Sequence, residues 1–189
     1  MKPGVRITGG LFKGRGLTVP PSARPTEGRV REALFSMWND QLENARILDL
    51  FAGSGVVGLE AVGRGALRAL FVDQDLRAIQ MLEANVEKLG PEARGLVEIR
   101  RLSLPAGLAR LARDGAGPFD LIFADPPYAF GAYEDLLAGM MPLLTSEEGE
   151  VVIEHSSRRD LPVQVGKLVR VDDRSYGESS LAFYRQGPE

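Results

Sequence analysis

An α/β fold, with a mostly parallel sheet and helices on both faces, is predicted by three features of this 189-residue chain. From Ala45 onward, short apolar runs alternate with segments of helical period, the pattern of repeated strand-helix-strand units. The first run, Arg46 to Phe51, ends in the glycine turn Ala52-Gly53-Ser54-Gly55, and a helix follows it. A later run, Leu121 to Ala124 behind Phe119, stops abruptly in Asp125-Pro126-Pro127-Tyr128, as a buried parallel strand does where it delivers side chains to a sheet edge.

The elements follow in order. Val5 to Val19 alternates loosely and carries Gly9, Gly10, Gly14 and Gly16, which predicts a short β-hairpin turning near Lys13-Gly14. A hairpin alone is marginal, so it must pack on the body or on its target. Pro20, Pro21 and Pro25 make an extended linker. Thr26 then caps a helix to about Gln41, with Val30, Leu34, Met37 and Trp38 on one face and Arg29 and Arg31 off it. Val56 to Arg64 is helical, Leu67 to Val72 is a strand ending at Asp73, and Asp75 caps a helix from Leu76 to Leu89 that Gly90-Pro91 stops. Leu96 to Arg101 is the next strand, Ala106 to Arg113 a short helix, Tyr133 to Leu144 a helix, and Glu150 to Glu154 the fifth strand. Gln164 to Val171 and Ser180 to Tyr184 are expected to form a C-terminal antiparallel pair.

Composition narrows the function classes. An apolar content of 44% is ample for the core of one domain. No apolar run approaches a membrane span, and MKPGVRITGG lacks the apolar core of a signal peptide, so a cytoplasmic protein is expected. Cysteine is absent and His155 is the only histidine, which disfavours thiolate and histidine-cluster metal sites and Ser-His-Asp chemistry. His155 itself reads as a structural or rim residue. The net charge of −3 conceals an asymmetry: residues 1–31 hold seven basic residues (Lys2, Arg6, Lys13, Arg15, Arg24, Arg29, Arg31) against Glu27, a net +6, and the remainder holds 16 against 25 acids, a net −9. That pattern is either a basic arm for a polyanion or a solvated basic tail.

Two motifs carry chemistry. Gly53-Ser54-Gly55-Val56-Val57-Gly58 satisfies the dinucleotide-binding glycine pattern, and Asp73 lies 20 residues after Gly53 at the end of the next strand, which by that rule alone marks a dinucleotide site. The arrangement serves any nucleoside-bearing cofactor, since the acid bonds ribose hydroxyls and the glycines admit the ligand to the backbone. Asp49, four residues before Gly53, would repel a pyrophosphate but can hold an ammonium. An adenosine joined to an amino acid is S-adenosylmethionine. At the second motif, Asp125 and the carbonyl of Pro126 can accept both N–H bonds of a planar amine and make its delocalised lone pair reactive, while Tyr128 stacks on the ring. The alternative is a rigid turn after a strand, with the aromatic in the core.

Asp49-Leu50-Phe51-Ala52-Gly53-Ser54-Gly55 with Asp125-Pro126-Pro127-Tyr128 resembles the class I S-adenosylmethionine methyltransferases that modify amino nitrogens. Arg6-Ile7-Thr8-Gly9-Gly10, Gly14-Arg15, and Arg24-Pro25-Thr26 running into Arg29-Val30-Arg31-Glu32-Ala33-Leu34-Phe35 resemble the narrower bacterial family that methylates the exocyclic N2 of a guanine in 16S ribosomal RNA. The resemblance implies a Rossmann-like fold and S-adenosylmethionine as cofactor, without a metal. It divides the chain into an RNA-contacting arm, residues 1–25, and a methyltransferase domain, residues 26–189. It further implies that Asp49, Gly53 and Gly55 line the methionine end, that Asp73 binds ribose, that Gln74 lies by adenine, and that Phe51 and Ser103 are also cofactor-binding. Where many relatives carry an acid after the third strand for the adenine amino group, this chain has Ser103. Asp125, Pro126 and Tyr128 would hold the base, and Arg6, Lys13, Arg15, Arg24, Thr26, Arg29 and Arg31 the RNA. The expected partner is 16S ribosomal RNA, free or in an assembling small subunit, met by a monomer with no membrane involved. Adenine N6, a glutamine amide, and a non-catalytic assembly factor on the same scaffold remain the alternatives.

Overall fold

The computed structural model describes residues 4–20, 26–145 and 148–187, with backbone only at 26 and 27. The hairpin forms as β1 (Val5–Arg6) against β2 (Gly16–Leu17), antiparallel with Val5 opposite Leu17. Helix α1 (Thr26–Trp38) follows and tightens into a 3-10 turn over Asn39–Gln41, so the helix expected to reach Gln41 changes pitch at its end. The α/β units are β3 (Arg46–Leu50), α2 (Val56–Gly63), β4 (Arg68–Asp73), α3 (Leu76–Leu89), β5 (Val97–Arg101), α5 (Leu108–Arg113), β6 (Leu121–Ala124), α6 (Tyr133–Met140) and β7 (Glu150–Ser156). Between α3 and β5 the chain makes α4 (Pro91–Gly95), an addition to the elements expected. Pro91 does not simply end α3: it opens the next helix, a position that needs no N–H donor.

One sheet of eight strands runs through the described residues in the order β5-β4-β3-β6-β7, then β10 (Ser179–Gln186), β9 (Leu168–Tyr176) and β8 (Gln164–Val165). The strands from β5 to β7 pair in parallel, and the C-terminal ones pair antiparallel. The antiparallel part is more extensive than the expected pair. The stretch Gln164 to Val171 is broken at Gly166, φ +57°, into β8 (Gln164–Val165) and β9 (Leu168–Tyr176), and β10 (Ser179–Gln186) lies between β9 and β7. Both sheet faces are covered: Ile47, Phe71, Phe123 and Val152 enter one core, and Leu48, Leu50, Ile122 and Val151 enter the other. This two-sided burial explains the continuous apolar runs. No helix among the described residues is long and apolar enough to cross a membrane.

The hairpin is bolted to the body. Ile7, Phe12 and Leu17 are buried in the same core as Val30, Leu34, Trp38, Leu59 and Val62. Gly10, at φ +67°, lets Leu11 N–H reach the Gly63 carbonyl at 2.6 Å; a Cβ on Gly10 would lie 1.7 Å from that oxygen. The carboxylate of Glu60, wholly buried, accepts from Thr8, pairs with Arg31 at 3.0 Å and pairs with Arg64 at 2.8 Å. Asn85 ties the strand end to the glycine turn: its Oδ1 accepts Thr18 N–H at 2.8 Å and its Nδ2 donates to the Thr18 and Ser54 carbonyls, both at 2.9 Å.

Removing Glu60 leaves two guanidinium groups facing a buried gap, and breaking such a pair costs roughly 3 to 5 kcal/mol. Glu60→Ala is therefore expected to lower the denaturant midpoint sharply and to expose residues 4–20 to protease before the body, read by urea titration and limited proteolysis.

Candidate active site

The parallel strands set the site. Along β3, Asp49 shares the face of Ile47 and stands between its register partners Phe71 of β4 and Phe123 of β6, only 2% exposed. Its Oδ2 accepts Gly58 N–H at 2.9 Å. Burial pushes the carboxyl up to about 8, against the opposing pull of the Gly58 bond and with a further push from Asp73. A carboxyl so placed invites a cation.

Beyond it the chain turns sharply. Phe51 takes φ +56°, a left-handed conformation that costs of order 1 to 3 kcal/mol for a residue with a side chain, and its ring meets Phe130 edge-on at 5.3 Å. Ala52 N–H donates to the Val72 carbonyl at 3.1 Å, which folds the turn against β4. Gly55 opens α2 at φ +77°, where a Cβ would stand 2.1 Å from Leu82 Cδ1. Asp73, at the end of β4, accepts the N–H of Gly53 and that of Asp75, both at 2.9 Å. Each carboxylate oxygen keeps a further lone pair for a ligand hydroxyl. Gln74 is exposed, and its Oε1 accepts from Ser103 Oγ at 3.1 Å, so the residue expected by adenine meets the one that replaces the relatives' acid, at the ends of β4 and β5.

Asp125 leaves β6 with its N–H donating to the Leu50 carbonyl at 3.3 Å, beside the end of β3. Pro126 is buried, Tyr128 is 50% exposed, and the Pro127 carbonyl accepts Phe130 N–H at 2.7 Å to close the turn. Phe130 in turn packs edge-on against Tyr133, 5.1 Å away, at the start of α6. The Tyr133 hydroxyl is pushed above its ordinary range by burial; the Arg159 guanidinium, 5.4 Å over its ring, opposes this and Asp125 adds to it.

Two cavities adjoin this edge. One, of about 240 Å³, lies between the glycine turn and the hairpin and α1, with Asp49, Phe51, Gly53 and Arg31 on its walls. The other, of about 180 Å³, is walled by Pro126, Tyr128, Tyr133, Arg159 and Glu178. Asp125 and Glu154 line both. Neither Glu154 nor Tyr133 belongs to a motif that sequence reasoning singles out. Glu154 nonetheless carries the same signal as Asp125, an acid directly after the buried run Val151-Val152-Ile153. His155 borders the second cavity with its ring buried, Nδ1 3.0 Å from the Ser156 carbonyl and Nε2 3.4 Å from Asp173.

The basic residues divide. Lys13 and Arg29 are exposed, and Arg6, also exposed, donates to the Gly14 carbonyl at 2.7 Å. Arg15 reaches the last carbonyls of α3, with Leu89 O at 3.4 Å, where the helix dipole favours a cation. Arg31, its side chain 10% exposed, is spent on Glu60 and the Arg6 carbonyl rather than presented outward. Arg24 lies outside the described residues, as does the side chain of Thr26, whose backbone opens α1.

The raised carboxyl of Asp49 has a stability consequence. Between its ordinary value of 3.8 and about 8, the unfolded chain ionises this group while the folded chain keeps it protonated, so stability present below that window is lost across it. Asp49→Asn is expected to gain stability relative to the parent as pH rises from about 4 to about 8, by a few kcal/mol in all, and to keep a constant difference above. Thermal melts across that pH range check it; a difference independent of pH would mean Asp49 is ionised in the fold.

Similar proteins converge on one activity. The putative rRNA methyltransferase YlbH of Bacillus subtilis (strain 168) is 35% identical over 189 residues, covering 96% of this chain and 99% of that protein. Ribosomal RNA small subunit methyltransferase D of Escherichia coli (strain K12) is 38% identical over 135 residues, 70% of this chain and 65% of that protein. The solved structure of the putative methyltransferase yhhF from Escherichia coli superimposes with a TM-score of 0.82 at 28% identity, covering 98% of this chain and 99% of that one. Residues 5–185 match the family described as conserved hypothetical protein 95. The chain belongs to that family, and its named relatives are methyltransferases.

Proposed function

We propose that this protein transfers a methyl group from S-adenosylmethionine to the exocyclic N2 amino group of a guanine in small-subunit ribosomal RNA. The observation that carries transfer to a planar amine is the placement of Asp125, which lines both cavities with Pro126 and Tyr128 beside it in one of them, and the likeness to a ribosomal RNA small subunit methyltransferase supports the RNA. A donor in one and a base in the other would meet there. The residues fit the cofactor: a glycine turn in which a Cβ on Gly53, on the cavity wall, would meet nothing nearer than the Phe51 carbonyl oxygen at 3.9 Å, and a buried, cation-seeking Asp49. Asp49 would hold the ammonium, Phe51 and Gly53 the methionine end, Asp73 the ribose hydroxyls, and Gln74 with Ser103 the adenine side. When bound, the cofactor supplies an electrophilic methyl whose bonding pair returns to sulfur as the new N–C bond forms.

The chain's own part is orientation. Asp125 and the Pro126 carbonyl accept the two amino protons, which directs the nitrogen lone pair toward the methyl, and Asp125 takes the proton that nitrogen loses. The ring of Tyr128 stacks on the extruded base, and the rigid Pro126-Pro127 step fixes both partners. Arg6, Lys13 and Arg29 contact RNA phosphates, with the arm of residues 1–25 extending the methyltransferase domain of residues 26–189. The protein acts as a monomer, on free RNA or on an assembling subunit, without a metal.

Asp125→Ala is expected to reduce methyl transfer on the order of 10²-fold or more, while calorimetry finds cofactor affinity little changed. Labelled cofactor, small-subunit RNA and mass spectrometry of the digested product read both the rate and the position. Near-native methylation of guanine N2 by that variant would refute the mechanism. Because Ile7, Phe12 and Leu17 are core residues, the arm is tested by charge reversal of exposed side chains instead of truncation. Lys13→Glu with Arg29→Glu should weaken RNA binding and flatten its log-log salt slope by about 0.7 to 0.9 for each phosphate no longer neutralised. An unchanged slope would mark these two as solvated charge.

A further inference from the structure

The structure assigns to Glu154 the choice of base. We infer that its carboxylate accepts the ring N1–H beside the amino group held by Asp125, and so admits guanine and rejects other planar amines. The inference rests on the reading of guanine N2 as the acceptor and adds the group that distinguishes it.

Strands β6 and β7 run in parallel with Ala124 opposite Ile153, so Asp125, just past the end of β6, and Glu154, within β7, stand side by side at a strand spacing of about 4.8 Å. Both line the two cavities, at the junction where donor and base would meet. Glu154 is itself held on a strand, between the buried residues Ile153 and His155, so its backbone is fixed by the sheet. Arg159 stands over Tyr133 on the wall of the same cavity.

The chemistry of the edge decides what this pair selects. Guanine presents donors in sequence, the N2 amino group and then N1–H, followed by the O6 acceptor. Two adjacent carboxylates match the donors, and Arg159 offers a cation for O6. In adenine the amino group neighbours N1 without a proton, and in a glutamine amide it neighbours the carbonyl oxygen. Each would set a lone pair against Glu154 with no proton between them, a repulsive contact as well as a missing bond. A site built around a substrate N–H discriminates strongly against an analogue that lacks it, because the acceptor facing it then has no proton to bond. Asp125 alone cannot make the distinction, since all three acceptors share the planar amine.

Two small-subunit transcripts test this, both made with 2,6-diaminopurine in place of every adenine. One keeps guanine at the methylated position, and the other carries adenine there by mutation and hence diaminopurine. Diaminopurine retains the 2-amino group but has an unprotonated N1. The parent enzyme should strongly prefer the guanine transcript. Glu154→Gln, whose amide can donate to N1, should lower kcat/KM on guanine in the natural transcript by roughly 10- to 100-fold and shrink the guanine preference by about 10-fold or more, with cofactor affinity unchanged. Glu154→Ala should lose rate on both. If the parent methylates guanine N2 while Glu154→Gln and Glu154→Ala both keep its rate on the natural transcript, the inference is overturned and the proposed function stands. If the parent leaves guanine N2 unmodified, the proposed function itself fails.

Discussion

The site depends on the parallel register of β4, β3, β6 and β7. Hydrogen bonding fixes Leu50 beside Val72 and Ala124, and Ala124 beside Ile153. The residues that follow these pairs therefore emerge at one edge. Asp73, Asp125 and Glu154 gather there although they come from distant parts of the chain, and the reversal of strand order about β3 opens the crevice between them. A one-residue slip in any strand would turn its acid toward the opposite face. The two apolar cores oppose such a slip, since Ile47 and Leu48 enter different cores and cannot exchange places without burying Asp49 in the wrong one.

The glycine turn is held less by its own sequence than by its neighbours. Asp73 accepts Gly53 N–H, Asn85 donates to the Ser54 carbonyl, and Leu82 fills the space that a side chain on Gly55 would need. Around that framework the electrostatics are left unbalanced. Asp49 is enclosed by apolar rings with one backbone donor, and Asp73 adds a like charge. Glu60 is paired with Arg31 and Arg64, and Glu150 with Arg185, whereas Asp49 has no cationic partner among the described residues and is the acid that the proposed ammonium contact would use.

The amino-terminal segment shows how a charge pattern divides once it is folded. Its glycine pair admits the end of α2, Thr8 and Arg31 converge on Glu60, and Arg15 reaches the end of α3. Much of the amino-terminal motif that resembles the 16S ribosomal RNA methyltransferase family is thus the means by which the hairpin docks. What remains outward, Arg6, Lys13 and Arg29, is carried on a surface whose position is set by that docking.

The sequence by itself determined the α/β class, the glycine turn, the helix cap at Asp75 and the acids at the ends of β4 and β6, because each is written in a local run of residues. The division of Gln164 to Val171 at Gly166 and the second helix begun by Pro91 were less legible, since turn residues both end and begin elements. Only the tertiary structure decided which charges serve the fold. Arg31 and Arg29 are two residues apart on one helix, yet one faces a carboxylate from α2 and the other faces solvent. It also decided that Glu154 stands beside Asp125, because strand order and register, unlike helical period, are properties of contacts between segments remote in the chain.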